Sequence, residues 1–126
     1  MPSPASARLL VALGALSGAA SVALGAAGAH VLGGLPEVAA NWFRTALQYQ
    51  QFHALGIILA GLVAERAGNR WGLAAGGLMV VGTLLFSGNL YLRALADFHA
   101  LHAVTPFGGG AFILGWLALA VGALKR

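Results

Sequence analysis

Residues 48–64 read QYQQFHALGIILAGLVA, and this stretch decides how many times the chain crosses a membrane. Its apolar part, residues 54–64, is too short to span a bilayer, because a hydrocarbon core of about 30 Å requires about 20 helical residues. A span extended back to about Arg44, which includes QYQQFH, has the required length, in a helix predicted to begin at Pro36 and to end at Gly68-Asn69. A span is therefore predicted at about 44–64, with polar side chains inside its outer half.

The composition of the chain is that of a membrane protein. Of the 126 residues, 60% are hydrophobic and only 8% are charged, whereas soluble domains carry about 25% charged residues. The formal charge of +4 is too small and too scattered for a nucleic-acid-binding surface. The lack of cysteine excludes disulfides and thiol chemistry. We therefore expect a single domain over residues 1–126 that has the lipid bilayer, and no nucleic acid, as a partner.

Three further apolar stretches are long enough for membrane helices and lie at about 9–29, 71–92 and 106–124. Thr105 and Pro106 predict the N-cap and first turn of the last helix. Because the connections are short, successive helices are expected to be antiparallel neighbours. The predicted fold is all-α, an integral membrane four-helix bundle.

The basic residues divide unevenly between the two sides of this bundle. Arg44 and Arg93 fall on one side, and five others fall on the side of the chain termini: Arg8, Arg66, Arg70, Lys125 and Arg126. By the positive-inside rule both termini are predicted to be cytoplasmic. An alternative interpretation takes Arg8, the apolar run and Ala27-Gly28-Ala29 as a signal peptide with its cleavage site.

Small residues recur four positions apart in the predicted helices, a spacing typical of close helix packing in lipid. The candidate packing residues are Gly14, Gly18, Ser21, Gly25, Gly72, Gly76 and Gly115. Two interpretations are open. The residues pack helices of one chain together, or they pack the first or last helix against a second copy or a partner subunit.

Polar side chains gather in the outward half of the predicted bundle. Tyr49 and His53 are four residues apart and share a helix face, and polar residues of the third helix have the same spacing. The candidate polar network or ligand site comprises His30, Gln48, Tyr49, His53, Ser87, Asn89, Tyr91 and Arg93. It is interpreted as an interhelical hydrogen-bond network, as a metal or haem site, or as a pocket for a small polar or quinone-type ligand with His53 and Tyr49 as donors.

The residues available for metal binding or catalysis are few. The candidate metal ligands are the four histidines, His30, His53, His99 and His102. No carboxylate or cysteine completes a known ligand set around them, so neither a metal nor another cofactor is predicted. The chain has no Gly-x-Ser-x-Gly motif, no phosphate-binding loop and no acidic residue inside a predicted span. These absences disfavour an enzyme and a proton-coupled exporter.

Five short motifs follow one another along the chain. They are Gly-Ala-His at 28–30, Leu-Pro-Glu at 35–37, ALQYQxxHAL at 46–55, LFSGxLY at 85–91 and TPxGG at 105–109. Together they resemble the bacterial YgdD/YwdK-like family, domain of unknown function 423, over roughly residues 10–124; animal transmembrane protein 256 looks like a relative. The resemblance implies a small four-helix protein of the bacterial inner membrane without an established biochemical activity. His99 and His102 lie outside the family pattern.

The expected function is therefore that of a non-enzymatic membrane protein. We expect an accessory or assembly subunit of a larger membrane complex, or a homo-oligomer, whose outward polar network links the first three helices. The alternative is a ligand-, quinone- or metal/haem-binding protein that uses the outward histidines and tyrosines. Transport of a small solute is the third hypothesis.

Overall fold

The computed structural model describes residues 4–125, and every regular element in that range is helical. Arg126, which contributes to the predicted charge asymmetry, lies outside the described residues. A π-helical segment, Thr83–Gly88, joins two α-helices into one continuous rod, and 3₁₀ turns occupy Leu32–Gly34 and His102–Val104. The α-helices are α1 (Pro4–Val31), α2 (Glu37–Ala67), α3 (Arg70–Gly82), α4 (Asn89–Ala96) and α5 (Thr105–Leu124).

Within the described part of the chain, three helical segments are long and apolar enough to cross a membrane. They run over Ala5–Gly34, Arg70–Ala96 and His102–Leu124. At 31 residues α2 is the longest helix. It is less apolar than the other three because its first half carries Asn41, Arg44 and the polar residues of QYQQFH.

Helix α1 packs along α2 through residues that are alternately three and four positions apart. The buried and half-buried residues of this seam are Ala7, Leu10, Gly14, Ser17, Ser21, Leu24 and Gly28. Alternating steps of three and four keep one face toward a neighbouring helix. A Cβ on Gly61 would lie 2.8 Å from the Ala7 carbonyl oxygen, and one on Gly28 would lie 2.7 Å from the Phe43 ring. The two helices are therefore antiparallel and in contact at both ends of α1.

The four long helical segments meet in one core. Leu10 of α1, Ile57 of α2 and Met79 of α3 form a buried cluster, and Trp116 of α5 packs against it. Beside this cluster, α2, α3 and α5 meet through alanines at Ala60, Ala75 and Ala118. Small side chains at these positions allow the helix backbones to approach closely.

Several of the predicted packing glycines lie where a side chain would strike a neighbouring helix of the same chain. A Cβ on Gly72 would lie 2.5 Å from the Ala64 backbone nitrogen, and one on Gly14 would lie 2.8 Å from the Ala54 carbonyl oxygen. A Cβ on Gly76 would strike Leu10 at 2.5 Å. A Cβ on Gly115 would approach Met79 to 2.9 Å.

At Gly18 the structure differs from the predicted packing. A Cβ there would have no heavy atom within 4 Å, because Gly18 lies beside the seam rather than on it. Its neighbour Ser21 is on the seam, and the Ser21 hydroxyl donates to the Gly18 carbonyl oxygen at 2.7 Å. Gly25 makes an ordinary contact, since its Cβ would lie 3.6 Å from Leu47.

The start of α5 also differs from prediction. Thr105 is the first residue of the helix, Val104 occupies the N-cap position, and no side chain caps this end. Pro106 follows in the first turn, where a missing N–H costs nothing. The Thr105 hydroxyl instead accepts a hydrogen bond from the Asn89 side-chain amide. The residue predicted as a cap therefore joins α5 to α4.

Candidate functional site: an interhelical polar network

Gln50 of α2 joins three helices. Its Nε2 donates to the Ser17 carbonyl oxygen at 3.1 Å, and its Oε1 accepts from the Tyr91 hydroxyl at 2.6 Å. The side chain is 7% exposed. The amide therefore connects α1 to α4 through α2, using both its donor and its acceptor.

Ser87, in the π-helical segment, connects that segment to α2. Its hydroxyl is fully buried and donates to the Ala46 carbonyl oxygen at 2.8 Å. One turn further on, the Tyr91 ring packs edge-on against Phe43 with 5.4 Å between ring centres. Ser87 and Tyr91 therefore both face α2 and do not pair with each other.

His53 connects α2 to α5 through both ring nitrogens. The Trp116 indole N–H donates to His53 Nε2 at 2.9 Å, and His53 Nδ1 lies 2.8 Å from the Tyr49 carbonyl oxygen. Because an indole nitrogen only donates, Nε2 is the unprotonated nitrogen and Nδ1 carries the proton. The ring is stacked on Phe112, with 3.5 Å between ring centres. His53 is therefore a neutral, buried imidazole whose two nitrogens are both engaged within the protein.

Asn89 holds the segment between α4 and α5. Its side-chain amide donates to the Leu101 carbonyl oxygen at 2.7 Å and to the Thr105 hydroxyl. Its Oδ1 is buried and has no hydrogen-bond partner among the described residues, and the same holds for Arg93 Nε one turn later. Asn89 and Arg93, which are four residues apart, therefore do not bond to each other through these two atoms.

Arg93 contacts an aromatic ring instead. Its guanidinium carbon lies 4.3 Å from the centre of the Trp42 ring, a cation–π distance. The Trp42 ring also meets His99 edge-on, and His99 pairs with Asp97 at 2.6 Å. These contacts lie at the end of the bundle away from the chain termini, where they join α2, α4 and the segment after α4.

Two residues of the predicted network lie elsewhere. Gln48 is exposed on α2, and His30 is exposed at the end of α1. The buried residues of α2 that follow steps of three and four include Phe43, Ala46, Gln50, His53 and Ile57. Gln50 was missed because the predicted polar stripe of this helix was built only from residues four positions apart, such as Tyr49 and His53. A step of four residues turns about 40° past a full helical turn, so such a stripe drifts off the buried face. Steps of three and four residues along 43, 46, 50, 53 and 57 are the sequence signal that places Gln50 on the buried face.

The four histidines do not converge. His53 is buried between α2 and α5, His30 is exposed at the end of α1, and His99 and His102 are exposed after α4. Among the described residues no group of three or more His, Cys, Asp or Glu side chains is close enough to hold a metal ion. The donors proposed for a metal or haem site therefore lie in separate places.

A groove of about 580 Å³ lies beside His53 and opens on the bundle surface between α2, the π-helical segment and α5. Its wall is mainly aromatic, with Phe86 4.6 Å from Tyr49 between ring centres. The Tyr49 side chain is 41% exposed there, and its hydroxyl has no hydrogen-bond partner among the described residues. The residues that line the groove are Tyr49, Phe52, His53, Phe86, Pro106, Gly109, Gly110, Phe112, Ile113 and Trp116.

Most of the residues that build this network lie in a part of the sequence that matches a known family. The model of the protein family of unknown function DUF423 matches residues 24–109, a range that includes all five motifs. The chain belongs to the DUF423 family. The family predicted from the motifs is thus confirmed.

Relatives of this DUF423 chain match it almost from end to end. The membrane protein YwdK of Bacillus subtilis is 38% identical over 94% of this chain and 98% of its own length. The inner membrane protein YgdD of Escherichia coli is 40% identical over 94% of this chain and 91% of its own length. The membrane protein SH2409 of Staphylococcus haemolyticus is also 40% identical, over 94% of this chain and 97% of its own. No solved structure matches the chain.

The names of the relatives and the lengths of the apolar helices both indicate that the chain lies in a membrane. The relatives are named as membrane or inner membrane proteins, and this DUF423 chain has three helical segments able to cross a bilayer within residues 4–125. The chain is a helical protein of the inner membrane, as predicted.

Proposed function

We propose that α2 also crosses the membrane, which gives four spans with both termini in the cytoplasm. The observation behind this proposal is that α2 touches α1 at both ends, near Ala7 and near Gly28, so it extends through the same depth. Its polar side chains at Gln50 and His53 are buried with hydrogen-bond partners. Polar groups satisfied in this way are tolerated at membrane depth.

Single cysteines test this topology, because the native chain contains none. We expect a cysteine at Gly34 or Ala100 to react with a membrane-impermeant maleimide in intact spheroplasts. A cysteine at Glu65, which is exposed in the last turn of α2, is expected to react only after the cells are opened. Labelling of the cysteines at positions 34 and 65 from opposite sides supports the crossing by α2, and labelling of both from one side contradicts it.

We infer that the protein is a non-catalytic subunit whose polar network holds a rigid bundle for lateral association with a second copy or a larger membrane complex. The observation that carries this inference is the use of Gln50, His53 and Ser87 in bonds between helices. Side chains engaged in this way hold helices together and have no free group to offer a substrate.

Helix α1 is the surface that we assign to this association. In an 18-residue apolar stretch of this helix, only 17% of the residues are buried within the chain. The corresponding fractions are 39% and 33% in the other two membrane-length segments. Opposite the seam with α2, Leu16 is 67% exposed and Ala12 and Ala19 are also exposed. This face is apolar and smooth, so it suits contact with another membrane helix.

Native mass spectrometry of the full chain in mild detergent tests the subunit role. We expect a discrete homo-oligomer or a co-purified complex. Ala19→Trp, on the exposed face of α1, is expected to dissociate it. The matched control is Leu117→Trp on α5, where Leu117 is 59% exposed. A monomer without partners, or equal loss of association in both variants, contradicts the subunit role.

The groove beside His53 favours a second candidate function, the binding of a lipid-soluble ring compound that carries a carbonyl oxygen, such as a quinone. Its volume of about 580 Å³ is within the range of small-molecule sites. Its aromatic wall suits a planar ring, and the Tyr49 hydroxyl is available as a donor. Trp116 lines the groove, so its fluorescence reports on occupancy.

A short-chain benzoquinone titrated into the Trp42→Phe/Trp71→Phe variant tests this candidate. We expect saturable quenching of Trp116 that Tyr49→Phe weakens about fivefold or more, since a good hydrogen bond contributes about 1 kcal/mol or more. Tyr91→Phe is the control, because Tyr91 does not line the groove. Linear, non-saturating quenching contradicts the candidate, and so does quenching that Tyr49→Phe leaves unchanged.

A further inference from the structure

A second groove lies at the opposite end of the bundle from the polar network. It has a volume of about 540 Å³ and lies between the C-terminal ends of α2 and α5. Val63 and Ala67 line it from α2, Ala123 lines it from α5, and two cationic residues complete the wall: Arg66 and Lys125. The groove therefore combines an apolar wall with a positively charged one.

Asn69, directly after α2, holds the ends of α2 and α5 together on the two sides of this groove. The Asn69 amide nitrogen donates to the carbonyl oxygens of Gly122 at 3.1 Å and Lys125 at 3.0 Å. Gly68 ends α2 in the left-handed region with φ 67°, which turns the chain toward α5. Because the acceptors are backbone oxygens of Gly122 in α5 and of Lys125 directly after it, these bonds position Lys125 without using its side chain.

The cations of this groove have no carboxylate partner in the part of the chain that the structure describes. The one ion pair there joins His99 to Asp97 at the other end of the bundle. Arg66 and Lys125 are both exposed, and the Lys125 ammonium lies 5.8 Å from the Trp71 ring centre. The acidic residue at this end is Glu65, which precedes Arg66 but does not line the groove.

We propose that this groove binds an anionic phospholipid. The headgroup phosphate lies between Arg66 and Lys125, and an acyl chain runs along Val63 and Ala123 in the crease between α2 and α5. Charge complementarity determines the choice of occupant, because two cations, Arg66 of α2 and Lys125 directly after α5, line an apolar crease at one end of the bundle. Basic pockets between membrane helices bind anionic headgroups for this reason.

The test compares lipids on the full-length protein by native mass spectrometry in mild detergent. Phosphatidylglycerol and phosphatidylcholine with the same acyl chains are added separately. We expect preferential retention of one phosphatidylglycerol, and retention about 30-fold weaker in Arg66→Gln/Lys125→Gln, because each cation near a membrane surface contributes to binding an anionic lipid. Arg70→Gln is the matched control, since Arg70 is exposed at the same end outside the groove.

Three outcomes overturn the proposal. Equal retention of the two lipids shows that charge does not select the occupant. An equal loss in Arg70→Gln and in the double variant shows a general effect of net charge. Displacement of phosphatidylglycerol by millimolar inorganic phosphate identifies a site for free phosphate instead of a lipid.

Discussion

The indole nitrogen of Trp116 lies 2.9 Å from Nε2 of His53, and this bond joins α5 to α2 inside the bundle. The histidine is 3% exposed and is also bonded to the Tyr49 carbonyl oxygen. A buried imidazole with both nitrogens hydrogen-bonded has a structural role. Removal of the Trp116 N–H that donates to it is therefore expected to lower the stability of the fold.

Trp116→Phe removes that donor and keeps most of the aromatic volume. We expect it to lower the free energy of unfolding by about 1–3 kcal/mol, because His53 Nε2 is left buried without a partner. Reversible unfolding in mixed micelles measures the change. Trp71→Phe is the control, since Trp71 is 42% exposed, and it is expected to change stability by less than about 0.5 kcal/mol. Equal effects of the two substitutions would show that the bond to His53 contributes nothing.

Gln50→Leu removes the group that connects α1 to α4. We expect a loss of about 1–3 kcal/mol in the same unfolding measurement, because the Tyr91 hydroxyl and the Ser17 carbonyl oxygen lose their partner. Gln48→Leu makes the same chemical change at an exposed position two residues earlier and is expected to be nearly neutral. The assignment of Gln50 as the bridging residue fails if Gln48→Leu is the more destabilising variant.

Gly72→Ala tests the close contact between α2 and α3. The added Cβ would lie 2.5 Å from the Ala64 backbone nitrogen, which cannot move aside as a flexible side chain would. We expect a loss of about 1–3 kcal/mol from this overpacking. Gly18→Ala adds the same atom into open space, so it is expected to be neutral or slightly stabilising in the same assay. A neutral Gly72→Ala variant contradicts the helix spacing described here.

Metal analysis of the purified protein tests the separation of the histidines. We expect no stoichiometric metal and no haem absorption, because His53 is engaged through both nitrogens and the exposed histidines lie in other places. Inductively coupled plasma mass spectrometry and a visible spectrum provide the measurement. A stoichiometric metal that is lost in His53→Gln contradicts the hydrogen-bond assignment of that ring.

The helices themselves follow from local sequence, which is why most of them were predicted. Apolar runs of about 20 residues form helices in a membrane because the backbone must satisfy its own hydrogen bonds there. The start of α2 near Pro36 and its end at Gly68 agree with local signals for helix ends. The π-helical segment Thr83–Gly88 has no such signal in the sequence, and no side chain caps it.

By itself, the sequence determined the membrane class, the all-helical structure and the family, because these depend on composition, apolar run length and ordered motifs. Only the tertiary structure decided which polar residues meet. Gln50, and not Gln48, bonds to Tyr91. Trp116 bonds to His53, and His30 is exposed. The physical reason is that a hydrogen-bond partner on another helix depends on the rotation and spacing of both helices, and a shift of one residue turns a side chain by about 100°.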